Sequence, residues 1–140
     1  MQWVKRAILI ILALIVVLIG LPALYAKWSE LEENRFYAAR PILGRLSEVW
    51  PRRFQKDPVE VREVFLRRVP LGSDKPTVIK LLSLEDFECQ RSSIRGEGWT
   101  DCQLVAPGGG FGSTRWILDF EFDGEDRLTD VRIVIQPIFF

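Results

Sequence analysis

WILDFEFDGEDRLTDVRIVI, residues 116–135, carries a strict alternation that decides the fold. Trp116, Leu118, Phe120 and Phe122 are apolar, and Ile117, Asp119 and Glu121 stand between them, which is the pattern of a strand buried on one face. Asp123-Gly124-Glu125-Asp126 supplies turn residues, and the alternation resumes in Val131, Ile133 and Ile135. Pairing Phe120 with Val131 and Leu118 with Ile133 sets apolar against apolar and brings Asp119 opposite Arg132. A slip of one residue would put Asp130 against Phe120 in the core, so one register is strongly favoured.

Working back from this hairpin, two more strands are predicted between Phe87 and the glycine-rich Pro107-Gly108-Gly109-Gly110-Phe111-Gly112. Cys89 falls on the first and Cys102 on the second, with the turn-prone Arg95-Gly96-Glu97-Gly98 between them. Upstream the period becomes helical. Asp57-Pro58-Val59-Glu60 reads as an N-cap, a proline at the first helical position and a Glu three residues after the cap. A helix should run from there to about Arg68 with Val61, Val64 and Phe65 inward. Pro70 and Gly72 stop it, and Ser73 is placed to cap a second helix that buries Val78, Ile79 and Leu82 and ends near Glu85. The expected architecture is α+β: an N-terminal transmembrane helix, then two helices packed on an antiparallel meander of three to four strands.

Ala7 to Ala26 reads AILIILALIVVLIGLPALYA, without a charge. At about 1.5 Å per residue it spans roughly the 30 Å of bilayer hydrocarbon. Lys5 and Arg6 precede it, which keeps residues 1–6 in the cytoplasm as a short tip and sends the rest across. Trp3 before the run, and Tyr25 and Trp28 after it, suit the two interfacial zones. A cleaved signal peptide is the rival reading, with Gly20 and Pro22 opening the cleavage region, and Leu24 standing where a small residue is favoured counts against it. No Cys lies near the end of the run, so lipoprotein processing is excluded. Both readings export the rest of the chain, so a bacterial inner-membrane protein with one span and a periplasmic C-terminal domain is expected.

Residues 27–56 form a juxtamembrane connector. Pro41 opens a short amphipathic helix in it, with Ile42, Leu43, Leu46, Val49 and Trp50 on one face; that face packs on the domain or lies on the membrane surface. Residues 57–140 form the periplasmic domain. Lys27 to Lys56 holds seven basic and four acidic residues, net +3, whereas Asp57 to Phe140 holds ten basic and fifteen acidic, net −5. An acidic domain does not suit nucleic acid, which rewards clustered Lys and Arg. The chain has no histidine, which removes the commonest general base and the commonest zinc ligand. No catalytic residue, metal site or small-molecule cofactor is predicted.

Outside the cytoplasm Cys89 and Cys102 should oxidise to a disulfide, since two thiols on adjacent strands meet an oxidising solvent. Asp119, Glu121, Asp123, Gly124 and Asp130 match positions 1, 3, 5, 6 and 12 of a calcium loop, but strands rather than helices flank them, so a solvated acidic hairpin is expected. The glycine run lacks both the Lys-Ser/Thr and the helix start of a phosphate loop. It reads instead as a hairpin loop in which Gly109, Gly110 and Phe111 offer a partner contact, and Trp99 is a second candidate contact. Glu97 and Asp101 beside Trp99 are the acid pair on which a hydrolase would have to be built.

Leu71-Gly72-Ser73, Val78, Leu82, Trp116, Phe120, Gly124, Leu128 and Val131 together resemble the SmpA/OmlA (BamE-type) family of small bacterial envelope proteins, whose fold is shared with the β-lactamase inhibitor proteins. The resemblance covers Leu71 to Val131 and implies a helix-and-sheet sandwich that acts by binding other envelope proteins. The lipidated Cys of that family is missing here, and Ser83-Leu84-Glu85-Asp86 replaces its Leu-Gly-x-Pro, so an outer-membrane assembly role is not carried over. The expected function is a membrane-anchored, non-enzymatic protein-interaction module of the cell envelope, with an envelope protein as partner and lipid around residues 7–26. An inhibitor or immunity protein against an envelope-acting enzyme or toxin is the alternative, and a hydrolase using two carboxylates comes third.

Overall fold

The computed structural model describes residues 1–108 and 112–139. In chain order these form α1 (Gln2–Ala38), α2 (Pro41–Val49), β1 (Gln55–Lys56), α3 (Val59–Arg68), α4 (Lys75–Ser83), β2 (Glu88–Arg91), β3 (Trp99–Gly108), β4 (Gly112–Phe122) and β5 (Leu128–Phe139). The sheet is antiparallel throughout, in the order β1-β5-β4-β3-β2.

The β4–β5 register is the one that the apolar alternation demands: Leu118 faces Ile133, Asp119 faces Arg132 and Phe120 faces Val131. A bulge at Glu121/Phe122 then brings Phe122 opposite Leu128 and closes the hairpin. Asp123 holds the turn, its Oδ1 accepting the backbone N–H groups of Glu125 and Arg127 at 2.9 Å each.

Five strands replace the expected three to four. The additional strand, β1, is only two residues long, too short to show any alternation, and is held by pairing Gln55 with Ile135 and Lys56 with Val134. Asp57 prolongs the cover of the β5 edge at a positive φ of 54°: its N–H donates to the Ile133 carbonyl at 2.6 Å and its carboxylate accepts the Ile133 N–H at 3.3 Å. Asp57 thus acts as a strand mimic rather than as the cap of α3. Arg62 closes the next stretch, donating to the Val131 carbonyl at 2.8 Å and to Asp130 at 2.7 Å. An edge that would otherwise template pairing with another chain is filled from within.

The helical layer is also thicker than the expected pair. Phe65 of α3 packs on Phe120 with ring centroids 5.5 Å apart, and Val78 and Leu82 of α4 are fully buried. Asp74 rather than Ser73 caps α4, accepting from the Thr77 N–H at 3.1 Å. To these are added α2, whose Leu43 and Leu46 are fully buried, and the last turns of α1. The face of α2 carrying Ile42, Leu43 and Leu46 is therefore buried in the domain, with α2 packed against α3 and α1, and Trp50 after it meets Trp116 of the sheet at 5.4 Å. Gly44 is needed where α2 passes α1, since a Cβ there would stand 2.8 Å from the Tyr37 carbonyl oxygen.

α1 runs without interruption through Gly20 and Pro22 to Ala38. Its apolar portion is exposed along its length and is long enough to cross a membrane. Its final turns are part of the protein core. Glu33 and Tyr37 are buried; Glu33 meets the Arg52 guanidinium at 2.9 Å, and the Tyr37 hydroxyl accepts the Trp116 indole N–H at 3.2 Å.

Candidate functional site

Tyr37 of α1, Trp50 after α2 and Phe65 of α3 meet Trp116 and Phe120 on the inward side of the sheet, and the opposite side carries mostly half-buried and exposed side chains. Strand alternation puts Trp99, Asp101, Gln103 and Val105 of β3 on that open side, together with Arg115, Ile117 and Asp119 of β4 and Arg132 and Val134 of β5. The loop between β2 and β3 reaches over it through Arg95.

This loop builds the most elaborate side-chain arrangement on the open face. Ser92 is buried at its base, and its hydroxyl accepts the Arg95 N–H at 3.2 Å. Arg95 reaches back over the strands, its Nε 2.8 Å from an Asp119 oxygen and its guanidinium 4.9 Å from the centre of the Trp99 ring. Arg132 approaches the same ring at 5.3 Å. Two cations thus share one aromatic surface, each contact contributing about 0.5–1 kcal/mol at a wet site. Asp119 takes its ion pair from Arg95 in the loop, although Arg132 is its partner across the strands.

Beneath these cations lies a like-charge pair, because Asp101 stands directly opposite Asp119 in the β3–β4 register. Burial pushes the Asp119 carboxyl above the usual range; the Arg95 hydrogen bond and charge act against this, and the negative charge of Asp101 adds to the rise. One Asp101 oxygen accepts Gln103 at 2.9 Å, while the other is buried without a protein partner. The face therefore presents an aromatic ring and two guanidinium groups side by side, with the Asp101 carboxylate partly buried on the same face.

The remaining sequence candidates are dispersed. Trp99 is at the centre of the cluster just described. Gly109, Gly110 and Phe111 lie outside the described residues; the strand ends that flank them, Gly108 and Gly112, are opposite one another. A Cβ on Gly112 would fall 2.9 Å from the Ile138 carbonyl oxygen, so close strand packing accounts for that glycine. Trp3, Lys5, Arg6, Tyr25 and Trp28 are all on α1 and exposed. Cys89 and Cys102 stand opposite one another with Cα atoms 4.0 Å apart and are joined as a disulfide that ties the edge strand β2 to β3.

The calcium-loop pattern is not assembled as a site. Asp119 is engaged by Arg95, Asp123 by its own turn and Asp130 by Arg62, and among the described residues no three His, Cys, Asp or Glu side chains converge. Asp101, the inner member of the acid pair beside Trp99, stands on the open sheet face with its carboxylate turned to Gln103. A cleft of about 570 Å³ lies elsewhere, between α2 and α3, bordered by Arg45, Glu48, Val64, Arg67 and Arg68.

Sequence reasoning missed Arg95 and Arg132 as neighbours of Trp99. The register places Arg132 near Asp119, but Arg95 comes from a loop whose path no periodicity reveals. Comparison of the chain with protein-family models, with curated proteins and with solved structures gives no match.

Proposed function

We propose that this chain is a single-pass, membrane-anchored protein-interaction module of the bacterial cell envelope, non-enzymatic, which binds an envelope protein through the open face of its sheet. The observation that carries the proposal is the Trp99–Arg95–Arg132 cluster on the open face of the sheet. Trp and Arg are the side chains that most often dominate a protein interface, and an aromatic ring already flanked by guanidinium groups is pre-organised for that role.

Topology follows from charge and length. Lys5 and Arg6 hold the amino end in the cytoplasm, residues 7–26 remain as the span, and the domain lies in the periplasm, where the Cys89–Cys102 disulfide is stable. Retention of the span is favoured by Leu24, which stands where cleavage after Ala26 would call for a small residue.

The test is photocrosslinking in living cells, with a benzophenone amino acid at Val105 or Arg132 on the open face and at Arg67 on the outer side of α3. The expected result is a discrete adduct from the first two positions, lost when Trp99→Ala is added, and none from Arg67. Adducts from Arg67 alone, or equally from both sides, would overturn the assignment of the face. A single enzyme captured one-to-one would identify the inhibitor or immunity alternative.

A further inference from the structure

We infer that the domain rests on the bilayer itself, seating the end of the sheet that holds the β3–β4 strand termini and the close of β5 in the polar headgroup layer. This rests on the anchor reading of α1 and adds a second, independent contact to it.

The argument is one of height along α1. Its uncharged run closes at Ala26, which marks the hydrocarbon boundary. Tyr25, Trp28, Ser29 and Glu32 line one cleft together with Pro107, Gly108 and Gly112. At about 1.5 Å per residue, Tyr25 to Glu32 covers roughly 10 Å of helix, beginning at that boundary. The headgroup zone is about 5–8 Å deep on each side of the hydrocarbon. The strand termini packed against this stretch of helix thus stand within the headgroup zone or at its outer edge.

The side chains at this end suit such a position. Phe139 pairs with Gly112 and is 83% exposed, and Trp28 is 67% exposed. Phe54, 60% exposed, precedes Gln55, whose pairing with Ile135 directs it toward the same end. Lys27, Arg52 and Arg53 lie in the same segments, within the part of the chain whose net charge is +3, whereas the remainder of the domain is acidic. Exposed rings with basic neighbours, held where a membrane helix leaves the hydrocarbon, have their most favourable surroundings among lipid headgroups. In water the same rings would be left as exposed apolar surface.

The full chain is reconstituted in vesicles of phosphatidylcholine and phosphatidylglycerol. A fluorophore is attached at Leu14→Cys, Phe54→Cys, Phe139→Cys or Ile94→Cys, one at a time, with the native disulfide intact. Nitroxide lipids carry the quencher on the headgroup or on the acyl chain. Ile94 is 93% exposed and lies in the loop between β2 and β3, at the other end of the strands. Expected is acyl-chain quenching at Leu14, loss of roughly half the emission at Phe139 and Phe54 with the headgroup quencher, and none at Ile94. If Leu14 is quenched while Phe139 and Phe54 remain as bright as Ile94, the anchor stands and the seat is overturned. If Leu14 is not quenched, the anchor reading itself fails and this inference with it.

Discussion

The indole N–H of Trp116 donates to the hydroxyl of Tyr37 at 3.2 Å, across 79 positions of sequence, and joins the last turn of the long N-terminal helix to the centre of the sheet. The two rings meet edge to face at 6.4 Å, and Trp116 is fully buried. The helix that carries the apolar segment is therefore a component of the core.

This joint predicts two graded losses. Tyr37→Phe keeps the ring and leaves the indole N–H unpaired, which should cost about 1–2 kcal/mol. Tyr37→Ala also removes the packing and should cost about 3–5 kcal/mol. Denaturant unfolding of the full chain in detergent, followed by tryptophan fluorescence, reads both; no loss in Tyr37→Phe would contradict the hydrogen bond, and equal losses would contradict the contribution of ring packing.

Glu85 holds the other side of the same joint. Its buried carboxylate accepts the N–H of Ile42 at 2.7 Å and of Leu43 at 2.9 Å, serving two of the unpaired amides at the start of α2. Glu85→Ala strands both donors and should destabilise by about 2–4 kcal/mol, while Glu85→Gln, which keeps one acceptor, should lose less. The same unfolding assay orders the three proteins.

Reduction of the disulfide tests the covalent tie of the edge strand. The bridge closes a short loop of sequence separation 13, and its loss through Cys89→Ser with Cys102→Ser should cost about 3 kcal/mol. The fold should persist, because the β3–β4 and β4–β5 pairs do not depend on β2. Hydrogen exchange should rise at Glu88–Arg91 and remain low in β4 and β5.

Asp119 gives a pH prediction with a definite sign. Burial raises its carboxyl above the ordinary value of 3.8, so as pH falls the folded state takes up a proton before the unfolded state does. The stability this group contributes is fully present below about 3.8 and is lost as pH rises through the raised folded value. The stability difference between the native protein and Asp119→Asn should therefore move in favour of the native protein as pH falls toward 3.8. Movement in the opposite direction would show that the Arg95 ion pair outweighs burial.

How much of this was legible in the sequence depends on how local each signal is. The β4–β5 register could be read residue by residue, because alternation and the Asp119–Arg132 pairing agree and a slip buries Asp130. The cysteine pair was equally readable from strand position. β1 was not, since Gln55-Lys56 carries no pattern and owes its conformation to Ile135. The use of Asp57 as an edge mimic was hidden behind a sequence that satisfies the rules for a helix cap. Glu85 sits in an unremarkable acidic stretch, and its partners are 43 and 42 residues away. At the candidate site Trp99 was identifiable as a type of residue, but Arg95 reaches it only through the path of a loop.

The central claim is that α1 is rigidly continuous with the domain, so that the open face is presented at one height and one angle to the membrane. Electron–electron distance measurement settles it most directly, with spin labels at Val16→Cys in the apolar segment and Ile94→Cys at the far end of the sheet, in lipid nanodiscs. The account predicts a single narrow distance distribution that broadens when Tyr37→Ala is introduced. A broad distribution in the native background would contradict it.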